Sequence, residues 1–287
     1  MRPPPAHPER LAYLGTPDIA VPPLRALVVA GFDVALVVTR PDARRGRGTS
    51  LSPSPVKVAA LELGLPVTDR VADAVDVGAD LGVVVAFGRI IRPEVLDALP
   101  MINLHFSLLP RWRGAAPVER ALLAGDEQTG VCLMVVEETL DTGPVYARQV
   151  LPIGPDDTAD DLRSALVQAG TALLVDTLAT GLGAPEPQVG EITYAEKIDP
   201  HERELDWLRP AVDIHRVVRL GGAWTTFRGR RLKVCTTSLT PSGTGFVAPT
   251  GDTPLELVVV QPEGKAPMAA TAWANGVRPR DDERLGS

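Results

Sequence analysis

Cysteine is scarce in this chain: Cys132 and Cys235 are the only two among 287 residues. One lies inside an apolar run and the other on an expected strand, so both read as buried thiols in a reducing compartment and not as a disulfide framework. No His/Cys group has metal-ligand spacing, and no metal is expected. No run of 18 apolar residues escapes interruption by charge, Gly or Pro, which removes a membrane-spanning helix. Residues 1–9, MRPPPAHPE, have neither an apolar run nor a small-residue cleavage pattern. They read as a disordered lead and not a signal peptide, and the expected location is the cytoplasm. Familiar catalytic signatures are missing too. No serine or cysteine sits in a nucleophile elbow, GTPDIA follows the first expected strand where G-x-G-x-x-G would be needed, and no Walker sequence occurs. Covalent acyl-enzyme, dinucleotide and ATP chemistries lose support accordingly.

What is present is an ordinary globular composition, 45% hydrophobic and 23% charged, long enough for two modest domains. The net charge of -7 argues against a uniformly basic nucleic-acid binder, but its distribution is uneven. Residues 1–200 hold 17 Lys and Arg against 26 Asp and Glu, whereas residues 201–287 hold 12 against 10. Two segments are basic: Arg40 to Lys57 carries five positive charges against Asp42 alone, and Arg209 to Lys233 carries seven against Asp213 alone. A solvated surface and a phosphate-binding surface both account for them.

Periodicity organises the rest. Short β-like runs at 11–15, 33–39, 81–88, 101–105, 130–137 and 144–153 alternate with helical runs at 19–31, 56–64, 117–125 and 158–181. Thr158 is an N-cap candidate and Gly181 or Gly183 a stop. This alternation predicts an α/β domain with a mostly parallel sheet covered by helices on both faces, over residues 10–182. Residues 183–204, richer in Pro, Gly and charge, read as a linker. Beyond it one helix at 211–220 precedes short strands at 224–229, 231–239 and 255–261, a small β domain over 205–287. The tail RPRDDERLGS reads as solvated.

If residues 101–105, MINLH, form a strand, Asn103 and His105 project from one face. They stand near the carboxyl end of a strand in a parallel sheet, where ligand crevices open. The Asn amide can donate to an oxyanion and His can exchange a proton near neutrality, a pairing that suits acyl transfer. On these two residues alone, a satisfied core histidine beside a turn-forming Asn is the favoured reading. Asp141, in EETLDTGPV, occupies a loop expected at the sheet's edge, from which it would orient His105 or relay its proton. Ordinary Asp-Thr-Gly turn chemistry explains it as well.

The segments NLHFSLLPRWRGAAPV and LDTGPV resemble the folate-dependent formyltransferases, in which an Asn, a His and an Asp form the catalytic set; here these are Asn103, His105 and Asp141. LGTPDIAVPPLRAL, RPDARRGRG, SPSPVKVAALELGLPV, VVVAFGRII and YAEKI are similar to the methionyl-tRNA formyltransferases within that superfamily, from residue 11 to about 207. The resemblance implies a Rossmann-like catalytic domain followed by a small, shortened OB-like domain that binds tRNA. It implies 10-formyltetrahydrofolate as co-substrate, initiator methionyl-tRNA as acceptor, and no stable protein partner. Phe87, Gly88, Arg89 and Ile90, with Ser107, Leu108, Leu109 and Pro110, would line the folate site. Arg40, Arg44, Arg45, Arg47 and Lys57 match the family's tRNA-contacting insertion, and Arg228, Arg230, Arg231 and Lys233 would serve the second domain. The chain departs from the pattern at Phe106, where the family usually has a small residue, and in its second domain, where strand material within residues 242–261 is reduced. Formylation of a nucleotide-linked amino sugar, hydrolysis to formate, and a non-catalytic RNA-binding relative are the competing readings.

Overall fold

The computed structural model describes residues 3–44, 51–240, 242–280 and 282–287. Two compact units emerge. The first holds the chain through Val118, then Gln128–Pro152 and Arg163–Glu196; the second holds Glu119–Glu127, Ile153–Leu162 and Lys197–Ser287. The expected linker 183–204 is thus divided at residue 196, and the second unit takes two segments from the middle of the chain.

In the first unit, β1 (Arg10–Gly15) is buried at nearly every position after Arg10, as befits a parallel strand covered on both faces. α1 (Val21–Val29) opens with Pro22 and Pro23, whose fixed φ suits a first helical turn, and the chain then turns at Gly31. β2 (Asp33–Val38) returns beside β1, and β3 (Ala43–Arg44) and β4 (Leu51–Ser52) make a small antiparallel pair. Ser54 caps α2 (Pro55–Glu62), accepting from the Lys57 amide at 3.0 Å while its buried hydroxyl meets Thr39 at 2.7 Å. β5 (Val67–Thr68) and α3 (Asp73–Asp76) are too short for periodicity to reveal. β6 (Leu81–Val85) is buried throughout, and Gly82 within it leaves the space that Met101 fills. α4 (Pro93–Ala98), β7 (Met101–His105), β8 (Arg113–Gly114), α5 (Pro117–Ala124), whose residues from Glu119 on belong to the second unit, β9 (Gln128–Val135) and β10 (Val145–Pro152) follow. α6 (Ala159–Thr180), whose residues from Arg163 on belong to this unit, begins in a reciprocal cap between Thr158 and Asp161 and stops at Gly181. β11 (Tyr194–Ala195) pairs with β8.

The main sheet has the order β10-β9-β7-β6-β1-β2-β5. Strands β5, β2, β1, β6 and β7 run parallel, β9 runs against β7, and β10 runs against β9. The lead is not disordered where it is described: Pro8 is buried, and the Leu182 amide donates to the Ala6 carbonyl at 2.6 Å.

In the second unit, α7 (Ala211–Arg219), β12 (Trp224–Phe227), β13 (Arg230–Ser238), β14 (Phe246–Ala248), β15 (Leu255–Pro262), β16 (Met268–Ala269) and α8 (Ala270–Val277) surround one apolar core. Its antiparallel sheet runs β12-β13-β15-β14, with β16 on β15. Trp273 meets Phe227 and Phe246 edge to face, at 5.2 and 5.5 Å. Strand material does survive within residues 242–261, as β14 and β15. Cys235 is exposed, not buried, because it alternates with the inward Leu232 and Val234. Nor is the tail merely solvated: Leu285 packs on the core, the Gly286 amide donates to Thr226, and Glu283 grips Arg228. That grip holds the Glu283 carboxyl down at about 2.

His215 on α7 is buried, with Nδ1 2.8 Å from the Thr237 hydroxyl and Nε2 3.3 Å from the Pro155 carbonyl. Burial lowers its pKa, reinforced by Arg219 and opposed by the Pro155 bond and Asp156. A folded-state pKa below the unfolded value of about 6.5 gives stability that is complete above that value and is lost as pH falls toward the folded pKa. The thermal midpoint read by tryptophan fluorescence should therefore drop below about pH 6.5, and His215→Gln should flatten that part of the pH dependence.

Candidate functional site

From β1 the chain goes to β2 and β5 on one side of the sheet, and from β6 to β7 on the other. Loops part at such a switch point and leave a crevice beyond the strand ends. The loop after β6 turns through Ala86 and Gly88, both at positive φ, and the Thr16 hydroxyl after β1 donates to the Phe87 carbonyl at 3.1 Å. Phe87 is only 2% exposed and belongs to the core, whereas Gly88, Arg89 and Ile90 are exposed, Ile90 at 89%. Arg89 donates to the Asp69 carbonyl. In the loop after β7, Ser107 and Leu109 are buried, Pro110 is buried, and Leu108 is half-buried against Gly130. The Ser107 hydroxyl donates to the Arg111 carbonyl at 2.7 Å. Of the eight residues expected around a folate, Phe87, Ser107 and Leu109 therefore spend their side chains on holding the loops.

Asn103 and His105 share a face of β7, as their spacing predicts. Asn103 is half-buried and makes no side-chain hydrogen bond among the described residues. His105 is 6% exposed, with Nε2 2.9 Å from the Trp112 carbonyl and Nδ1 3.7 Å from Asp141 Oδ2. The second distance exceeds a hydrogen bond, so Nδ1 is not committed to the carboxylate. Asp141 Oδ2 accepts the Gly114 amide at 2.8 Å, and Oδ1 has no partner among the described residues. Phe106, 8% exposed, lies in the core.

Asp141 reaches this place by an unexpected route. The turn from β9 to β10 starts at the amino end of β7, where the Val136 amide donates to Met101. It does not start at the strand end that carries His105, so the loop must double back along β7. Its backbone shows the cost: Asp141 has φ +53°, and Trp112 on the facing loop has φ +63°. Each such non-glycine residue stores about 1–3 kcal/mol.

What secures these loops is a stretch that sequence reasoning leaves out. Residues 188–195 lie along the segment 111–116: Thr193 Oγ1 accepts the Trp112 amide at 2.9 Å, and β11 pairs Ala195 with Gly114. Gln188 bonds both Arg113 and the Asp141 loop. YAEKI points to this neighbourhood, but nothing local marks Gln188 or Thr193.

The basic residues differ in availability. Arg40 and Arg44 are exposed without an ion pair among the described residues, Lys57 is paired with Asp42 at 2.8 Å, and Arg45 and Arg47 lie outside the described residues. In the second unit Arg230, Arg231 and Lys233 are exposed, with Arg231 over the Trp224 ring at 4.3 Å, whereas Arg228 is held by Glu283 at 2.7 Å. Among the described residues there is no group of three or more His, Cys, Asp or Glu placed to hold a metal ion, and no helix long and apolar enough to cross a membrane.

Comparison with known proteins gives two family matches: a formyl transferase family over residues 10–178 and a formyl transferase C-terminal domain over residues 197–278. A methionyl-tRNA formyltransferase of Heliobacterium modesticaldum is 44% identical over 94% of this chain and 92% of its own. Two solved structures share the fold. One is HypX of Aquifex aeolicus in complex with tetrahydrofolic acid, with TM-score 0.63 and 16% identity over 93% of this chain and 47% of that one. The other is an N-formyltransferase of Helicobacter canadensis with folinic acid and dTDP-3-aminofucose, with TM-score 0.65 and 19% identity over 91% and 98%.

Gly114 offers a direct check of the packing around Asp141. Its φ is +128°, and a Cβ there would stand 2.7 Å from the Ala195 carbonyl oxygen. Gly114→Ala should destabilise the protein by about 1–3 kcal/mol in urea unfolding.

Proposed function

The chain belongs to the formyl transferase family, and on that premise we propose how its residues carry a formyl group from 10-formyltetrahydrofolate to the amino group of methionyl-tRNA. The observation that carries the reading is the likeness to a methionyl-tRNA formyltransferase along nearly the whole of both chains. Initiator tRNA is the acceptor and the cytoplasm the place of action, because charged tRNA and folate must both be at hand.

The folate lies against the loops 86–91 and 107–110, held mainly by their peptide groups, since Phe87, Ser107 and Leu109 side chains are engaged inside. The amine nitrogen attacks the formyl carbon. Asn103 donates its amide to the developing oxyanion, and protonated His105 adds a second donor from Nδ1, its other nitrogen being occupied by the Trp112 carbonyl. Asp141 supports the imidazolium across 3.7 Å and accepts the amine proton on its free oxygen. The new N–C bond stays, the C–N bond to folate breaks with its electron pair, and the proton passes to that folate nitrogen. Exposed Arg40 and Arg44, and Arg230, Arg231 and Lys233, neutralise phosphates of the tRNA.

The direct test offers a labelled formyl donor with charged initiator tRNA, with nucleotide-linked amino sugars, and with neither. Label should reach only the tRNA; transfer to sugar, or release as formate, would overturn the reading. Asn103→Ala should lower turnover by about 10² to 10³ with folding intact, and His105→Ala by at least as much. Asp141→Asn should lower it by about 10² to 10⁴ and alter the acidic limb of the pH profile, whereas a change in stability alone would mark Asp141 as a turn residue.

Binding across a salt series separates the basic residues. Neutralising Arg44, Arg45 and Arg47, or Arg230, Arg231 and Lys233, should flatten the salt dependence of tRNA binding by about one unit of slope per lost phosphate contact. Lys57→Ala and Arg228→Ala should change it less, because both cations already have carboxylate partners. An unchanged slope in both triple variants would make the arginines a solvated surface.

A further inference from the structure

The doubling back of the Asp141 loop leaves a mechanical problem. A nine-residue turn that starts at one end of β7 and presents its carboxylate near the other end needs fixing from outside, and its left-handed Asp141 is an unfavourable state when left to itself. Gln188 meets that need. Its Nε2 donates to the Asp141 carbonyl at 2.9 Å and to the Gly143 carbonyl at 2.8 Å. Its Oε1 accepts from Arg113 Nε at 3.1 Å and from Nη2 at 2.6 Å. Arg113 is itself buried, and the next residue supplies the amide that Asp141 Oδ2 accepts. A single side chain thus links both sides of the carboxylate. Two residues earlier, Glu186 exchanges backbone hydrogen bonds of 2.8 and 2.9 Å with Val145, where β10 begins, so the backbone that carries Gln188 is anchored as well.

An amide is the group this position requires. Two donors must face two carbonyls while an acceptor faces a guanidinium, and among side chains only Asn and Gln carry both functions in one planar group. Glutamate has the same size and would still accept from Arg113, but it would set a carboxylate against the carbonyls of Asp141 and Gly143.

We infer that Gln188 is a positioning residue for formyl transfer, acting through Asp141 by holding its loop and Arg113 in one hydrogen-bonded frame. The inference rests on the catalytic reading of Asp141, and the test separates the two. Steady-state formylation is measured for the wild type, Gln188→Ala, Gln188→Glu, Asp141→Asn and the double variant Gln188→Ala with Asp141→Asn. Loss of the frame should lower kcat about tenfold to a hundredfold at saturating folate and tRNA, because a displacement of about 1 Å in a reacting group has that effect. KM for either substrate should stay within about threefold. Gln188→Glu should do at least as much damage despite its size, and the acidic limb of the kcat profile should shift in both single variants. In the Asp141→Asn background, Gln188→Ala should cost less than about twofold. Should the Ala variant fail to fold, Gln188→Met, which keeps the length without the amide, replaces it in the cycle. A kcat within twofold of wild type in Gln188→Ala, a loss confined to KM, or an equal loss in both backgrounds would overturn the role of Gln188 while a loss in Asp141→Asn left the catalytic reading standing. Full activity in Asp141→Asn would overturn both.

Discussion

A carboxylate removed from water needs partners, and Asp141, with its side chain 10% exposed, is the group around which this structure is arranged. In the mechanism proposed above it stays close enough to His105 to act on it and keeps an oxygen free to accept a proton. One backbone amide, from Gly114, takes Oδ2, and the 3.7 Å separation from His105 leaves the ring edge open. The segments 112–114 and 188–195 then hold this arrangement. Trp112 adopts a left-handed conformation while its carbonyl fixes the histidine, and Thr193 and Ala195 tie down the backbone on either side. A second partner on Oδ1 would hold the carboxylate more firmly, and it would also remove the oxygen that the proposed mechanism uses.

The sheet explains why such bracing is needed. Parallel strands β1, β6 and β7 deliver their loops to one end, where a crevice forms without further help. Strand β9 runs the other way, so its following loop begins at the wrong end for His105. An antiparallel addition to a parallel core therefore contributes a carboxylate only through a long return, and long returns depend on contacts distant in sequence. The 188–195 stretch supplies those contacts.

Much of this was legible in the amino acids, for reasons that can be named. The alternation of buried strands with capped helices is a local signal, which is why β1, β2, β6, β7, β9, β10 and α6 could be read. Asn103 and His105 stand on one face because strands have a period of two. Period two also contains the answer for Cys235, since Leu232 and Val234 point inward and leave the cysteine outside. What could not be read depends on meetings across distance. Nothing near Gln188 announces Asp141, 47 residues away, or Arg113, 75 away. Lys57 looks like a free cation until Asp42 is found beside it, and a tail rich in charge looks solvated until Leu285 and Glu283 find their places. Composition marks which residues are charged, and only the fold shows which charges are already answered.

The second unit includes Ile153–Leu162 from the middle of the chain, and this governs how the protein can be taken apart. Arg219 on α7 is buried, donating to the Asp157 carbonyl at 2.6 Å and to the Gly154 carbonyl at 2.7 Å, and His215 meets Pro155 in the same short segment. A fragment cut to begin at residue 197 would keep the arginine and lose both of its acceptors. Hydrogen bonds to charged groups contribute about 1.5–3 kcal/mol each, a serious loss for so small a body. Anyone expressing, grafting or recombining this module has to carry the borrowed segment along, since its boundary in space is not a boundary in the gene.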